Sequence, residues 1–90
     1  MNITQVKVKV LKREDSKFRA VASITIDDDF VVHDLKLIEG QDGLFIVMPS
    51  KKTPDGQYRD VAHPLRTEIR EQIKNAVIEE YEKELAAQAE

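Results

Sequence analysis

Six basic side chains fall into two short groups whose spacing suits the capture of an anion. Lys51, Lys52 and Arg59 flank a Pro54-Asp55-Gly56 turn, just after the proline that ends an apolar run, Leu44 to Met48. Arg66, Arg70 and Lys74 recur at every fourth residue, which on a helix confines them to an arc of about 80°. Like charges four apart cost a few tenths of a kcal/mol per pair. A stripe of one sign is therefore mildly unfavourable unless something of opposite sign uses it. Guanidinium and ammonium groups beside a helix N-terminus are the chemistry of phosphate recognition. The plain alternative is that the helix cations lie along a core margin with their heads in water. Glu71 would then neutralise Lys74, and the loop cations would be merely solvated.

Other chemistry is weakly signalled. His33-Asp34 and His63 are the residues that invite a metal or acid–base reading. Two histidines thirty residues apart, without cysteine and without H-x-x-x-H spacing, make a poor ligand set. His33 on a strand reads as a satisfied, partly buried histidine, and His63 before Pro64 as a turn or helix-cap residue. Asp27, Asp28 and Asp29 lack the alternate ligands, central Gly and terminal Glu of a calcium loop. No Gly-rich phosphate loop or nucleophile elbow is present. With only five aromatic residues, a base-stacking platform is thin. Phe45 and Tyr58 alone lie near the basic loop, and Phe45 reads as core. Neither an enzyme, a cofactor nor a metal is expected.

The elements that must position these groups follow from periodicity. Val6, Val8 and Val10 alternate with Lys7 and Lys9, the pattern of a half-exposed strand. Glu14 to Lys17 forms a polar turn. Phe18, Ala20, Ala22, Ile24 and Ile26 then share one face of a second strand, paired with the first as a hairpin. Asp27 to Asp29 breaks it. A third strand, about 30–38, is apolar on both faces except at His33, Asp34 and Lys36. After the turn 39–43, Leu44 to Met48 is apolar throughout and reads as a central strand covered on both sides. Tyr58 to Ala62 can add a short fifth strand. Pro64 suits a helix start, and Thr67 with Glu68 offers an alternative one. Ile69, Ile73, Ala76, Val77 and Tyr81 then recur at helical spacing. The order, antiparallel strands followed by one long helix, predicts an α+β fold with a sheet of four to five strands.

Ninety residues make a single domain, 1–85, with 86–90 as a frayed acidic tail. A chain this short buries about 60–65% of its unfolded surface, and without cysteine it has no disulfide to compensate. One helix covers one face of the sheet. A second copy is the simplest cover for what remains, so a homodimer through strand contacts is expected. No leader pattern and no apolar run of membrane-spanning length is seen, so a soluble cytoplasmic protein with no membrane partner is expected. The net charge is −3, yet it is segregated. Residues 1–20 carry +4 and residues 49–74 carry +2, against −5 for 27–43 and −4 for 75–90. A basic surface on an acidic protein permits a polyanion partner.

One set of motifs is specific enough to suggest a family. Ala22-Ser23-Ile24-Thr25-Ile26-Asp27, Phe30-Val31-Val32-His33-Asp34, Gly43-Leu44-Phe45, Met48-Pro49-Ser50-Lys51, Asp55-Gly56, Arg59-Asp60, His63-Pro64 and Val77-Ile78-Glu79-Glu80-Tyr81 together resemble the SpoVG family, the stage V sporulation protein G or septation regulators of bacteria. The resemblance spans about residues 6–82. It implies a small dimeric protein that binds DNA and RNA, regulates gene expression and is tied to cell division, septation and sporulation. It also implies that basic residues on the helix after His63-Pro64 contact nucleic acid. Arg70 is the best match, with Arg66 and Lys74 as neighbours and Lys51, Lys52 and Arg59 as helpers. Leu65-Arg66-Thr67-Glu68 departs from the family's Asn and small hydroxyl residues. The rival expectation is a protein–protein interaction module of septum formation, docking a division or regulatory protein on the same surface.

Overall fold

The structure is a computed structural model that describes residues 2–11 and 17–89. The polar turn expected at 14–17 lies almost wholly outside the described residues. Four strands, β1 (Ile3–Val10), β2 (Phe18–Ile26), β3 (Phe30–Gly40) and β4 (Gly43–Val47), form one antiparallel sheet in chain order. β5 (Ser50–Lys52) and β6 (Tyr58–Asp60) form a separate two-stranded hairpin, and α1 (Thr67–Ala89) closes the chain. The fold is α+β as expected. The fifth strand joins this hairpin instead of the main sheet, and the helix continues through the stretch 86–89.

The core lies between α1 and one sheet face. Ala20, Ala22 and Ile24 from β2, Leu35 and Leu37 from β3, Ile46 and Met48, and Ile73, Val77 and Tyr81 from the helix are buried together. Val6, Val8 and Val10 pack against them. Fully burying an aliphatic side chain of this size is worth about 1.5–3 kcal/mol, so this one layer carries most of the apolar driving force.

Two register shifts and one edge strand depart from the pattern read in the sequence. The register of β2 on β3 shifts between Phe18 and Ala20. Phe18 therefore pairs with Ile38 while Ala20 pairs with Leu37, which sends Phe18 to the sheet face opposite the helix. A second shift, between Ala22 and Ile24, sets Ser23 against both His33 and Asp34. Asp34 takes the left-handed conformation there (φ 66°), as an extra residue in a bulge requires. His33 is consequently exposed, not partly buried. The third correction concerns Leu44 to Met48. This run is an edge strand, not a central one, and Phe45 is 43% exposed. Its second apolar side faces outward, where the described residues provide no cover.

The β2–β3 turn shows why three aspartates sit together. Asp27 and Asp28 both have positive φ (54° and 59°), and the Asp29 N–H donates to the Ile26 carbonyl at 3.0 Å. The strands are thus joined by a tight three-residue turn with two successive left-handed residues, a conformation that Asp tolerates better than most residues with a Cβ. The turn is pinned to β1: Asp28 N–H donates to Thr4 Oγ1 at 3.0 Å and Asp27 N–H to the Asn2 carbonyl at 2.8 Å.

Candidate nucleic-acid interface

Met48 is the last core residue before the chain leaves the sheet. Pro49 then ends β4, and the hairpin projects with every residue of β5 and β6 exposed. Its tip is closed by local bonds. Thr53 N–H donates to the Gln57 carbonyl at 2.7 Å, Gly56 N–H to the Thr53 carbonyl at 3.0 Å, and Thr53 Oγ1 to the Asp55 carboxylate. Gly56 has φ 86°, a conformation glycine adopts without strain. The Thr53 hydroxyl, followed by the backbone at Gln57, holds the Asp55 carboxyl below its ordinary value. At the hairpin base, Val61 N–H donates to the Pro49 carbonyl at 2.7 Å.

Pairing within the hairpin puts Lys51 directly across from Arg59. Cross-strand partners share a face, so two cations stand side by side. Neither has an ion pair among the described residues. Lys52 pairs with Tyr58 and Ser50 with Asp60, on the opposite side of the ribbon. Asp60 therefore cannot neutralise the Lys51–Arg59 pair.

The chain returns through Ala62, His63 and Pro64, which line an apolar hollow of about 110 Å³ with Ile69 and Ile73 of α1. His63 Nδ1 donates to the Pro64 carbonyl at 3.2 Å. The hairpin base and the first helical turns thus occupy one end of the molecule. The helix opens at Thr67, the later of the two starts the sequence offers, with Arg66 as its cap: the Arg66 carbonyl accepts from Ile69 N–H and Arg70 N–H at 3.2 and 3.1 Å.

Arg66 therefore precedes the helix instead of forming its first basic step. Its guanidinium pairs with Glu68 at 2.8 Å, both side chains well exposed. Arg70 is exposed and Lys74 half-buried. They share the helix flank of Tyr81, while Ala76, Glu79, Glu80 and Lys83 border β1 on the other flank. Neither Arg70 nor Lys74 has an ion pair among the described residues, so Glu71 does not neutralise Lys74. Among the described residues Lys51, Arg59, Arg70 and Lys74 thus have no carboxylate partner; the two pairs sit on separate elements, the hairpin and the helix, which the apolar hollow at Ala62 to Pro64 joins. Lys52 lies on the other face of the hairpin.

Sequence reasoning missed a second basic group. Lys7, Lys9 and Lys36 lie on the sheet face opposite the helix. Their signal was the β1 alternation, which shows two lysines leaving one face, but only the β2 and β3 registers reveal that Lys36 joins them. The described residues hold no cluster of metal-ligating side chains, and no helix among them is long and apolar enough to cross a membrane.

Comparison with known proteins agrees with the motifs. The sequence profile of the SpoVG family matches residues 1–83. A Lachnospira eligens protein named "Putative septation protein SpoVG" is 59% identical over 83 residues, covering 92% of this chain and 93% of its own length. Proteins of the same name from Clostridium perfringens strain 13 and Clostridium kluyveri are 57% and 55% identical over 83 residues. Each alignment covers 92% of this chain, with 91% and 85% of the relatives' lengths. A profile match over nearly the whole chain and identities above one half over 83 residues leave one conclusion: the chain belongs to the SpoVG family.

Proposed function

We propose that this protein is a cytoplasmic nucleic-acid-binding regulator with a septation- or sporulation-related role, working as a homodimer. The observation that carries the reading is the Lys51–Arg59 cross-strand pair. Like charges directly opposed on a two-stranded ribbon are destabilising, and no acid among the described residues relieves them. A phosphate backbone would. Arg70 and Lys74 extend the positive surface along the helix flank, and Arg66 and Lys52 contribute from its border. Arginine can also read a guanine edge. The name of the relatives supports the septation role.

The dimer has a natural seam. β4 pairs only with Lys36–Gly40 of β3, so 30–35 have no strand partner on that side among the described residues and face Pro49, Ser50, Val61 and Ala62 across a hollow of about 580 Å³. Phe30 and Val31 beside it are 65% and 46% exposed. The β1 edge carries Lys7 and Lys9, a pattern that discourages edge pairing. Two copies joined antiparallel along β3 would present two basic ends.

The test is a titration of genomic DNA fragments and transcripts across a range of salt. If about six phosphates are neutralised per dimer, log affinity falls by roughly five per decade of salt. Arg70→Ala and Lys74→Ala should each weaken binding and flatten that slope while the circular dichroism spectrum stays unchanged. A slope near zero, or binding that survives both substitutions, removes the proposal. The rival reading, a protein-docking module, draws on Tyr58, Val61 and Leu65, which are 72%, 68% and 92% exposed around the same hairpin. Partners recovered in a pull-down after nuclease treatment would favour it.

A further inference from the structure

We propose that the sheet face opposite α1 is a second nucleic-acid surface, specific for single strands, on which Phe45 stacks a base and Lys7, Lys9 and Lys36 hold the backbone. This rests on the nucleic-acid reading above but places a different ligand form on a different face.

Strand register assembles the face in rows. Lys9 pairs with Val21, Val21 with Lys36, and Lys36 with Val47. This row crosses all four strands with a cation on β1 and another on β3. The adjacent row toward the β2–β3 turn runs from Lys7 to Ser23 and the His33–Asp34 bulge. It borders a shallow hollow of about 280 Å³ lined by Lys7, Lys9, Ser23, His33 and Asp34. The row on the other side is Phe18, Ile38 and Phe45. Among the described residues, charge on this face is therefore three lysines against the carboxylate of Asp34. None of the three has an ion pair among the described residues.

The two aromatic rings are not equivalent. Lys36 Nζ lies 5.6 Å from the Phe18 ring centroid, within cation–π range, so Phe18 is already capped. Phe45 remains 43% exposed. Its ring lies against Gly40: a Cβ at that glycine would stand 3.0 Å from Phe45 Cε1 and 3.2 Å from Cδ1. The bare glycine lets the ring lie down on the edge of the sheet. A lysine-flanked aromatic on an open antiparallel sheet is the arrangement that recognises unstacked bases, because every base offers a π-face and a duplex does not expose it.

A second copy is the competing occupant. Face-to-face packing about a two-fold axis would bring the lysines of both copies onto one surface, with Asp34 as the one carboxylate that the described residues of each copy offer against them. Charge complementarity favours a polyanion.

The experiment compares binding of a fluorescent dT20 oligonucleotide and a 20-base-pair duplex by anisotropy, for wild type, Lys7→Gln/Lys9→Gln, Phe45→Leu and Gly40→Ala. The leucine keeps apolar volume and removes the π-face. Alanine at position 40 lifts the ring without touching any charge. The expected result is a loss of about tenfold or more in dT20 affinity for each variant, with duplex affinity changed less than twofold. If wild type binds dT20 and the three variants bind it equally well, this surface is wrong while the broader nucleic-acid reading stands. If wild type binds neither probe, both fall. Sedimentation closes the remaining route: Phe45→Leu converting a dimer to monomer identifies the face as a subunit interface and overturns the proposal.

Discussion

At the residue scale, the hairpin tip shows how a single side chain can make a surface element pH-sensitive. Asp55 is ionised and accepts from Thr53 in the folded protein, and its carboxyl sits below the ordinary value for that reason first. A group depressed on folding adds stability above its unfolded value, about 3.9, and loses it as pH falls through the folded value. The tip should therefore loosen only below about pH 4, and Asp55→Asn should remove that dependence. Amide shifts of Gly56 and Gln57 followed by NMR across the acid range would show it; shifts that titrate near neutrality would contradict the assignment. Arg66 makes the complementary point. Its spacing with Arg70 and Lys74 suggests a continuous basic stripe, but the helix begins one residue later and Glu68 claims its guanidinium. Spacing encodes where a side chain can lie on an ideal helix, not whether the helix has started.

The Lys51–Arg59 pair belongs to the scale of the element, because on the proposed function it would set stability against binding. Lys51→Glu converts a like-charge pair into an opposite-charge pair. The hairpin should gain a few tenths of a kcal/mol, up to about 1, while affinity for nucleic acid falls. A raised or unchanged thermal midpoint together with weaker DNA binding is the expected outcome; tighter binding would dissociate the pair from the interface. The same registers explain how far the elements were legible. Alternation at Val6, Val8 and Val10 and helical spacing at Ile69, Ile73, Val77 and Tyr81 survive folding intact, because each reports a regular element packed on one core. Phe18, His33 and Phe45 do not. Phe18 and His33 lie at register shifts, where one extra residue reverses the facing of its neighbours along the strand. Phe45 belongs to an apolar run that reads as central, because apolarity on two faces cannot distinguish a neighbour in the same chain from a vacant edge. The hairpin of β5 and β6 was legible as a turn between Pro49 and Tyr58, but its separation from the sheet depends on where Pro49 ends β4.

The whole molecule is larger than its length demands. A compact domain of this size has a radius of gyration of about 12 Å, and this one has 13.6 Å, with extents of 44 × 34 × 22 Å. On the proposed dimer, a chain with one buried layer and exposed Phe30 and Val31 would gain by association. Its thermal midpoint should therefore rise with protein concentration, and Val31→Lys should abolish that rise. A midpoint independent of concentration over a hundredfold range would argue for a monomer. The turn at Asp27 and Asp28 carries a kinetic implication. It joins the two longest strands through nothing more than Asp27 to Asp29, so their pairing is local and can form within about 1–10 μs. The helix must instead find β1 from the far end of the chain, and closing so long a loop comes late. Pulse-labelled hydrogen exchange should find amides of the β2–β3 ladder shielded before those of α1. Until the helix docks, Ala20, Ile24, Leu35 and Leu37 are bare to water, and that interval is when a newly made copy is most prone to self-association of the wrong kind.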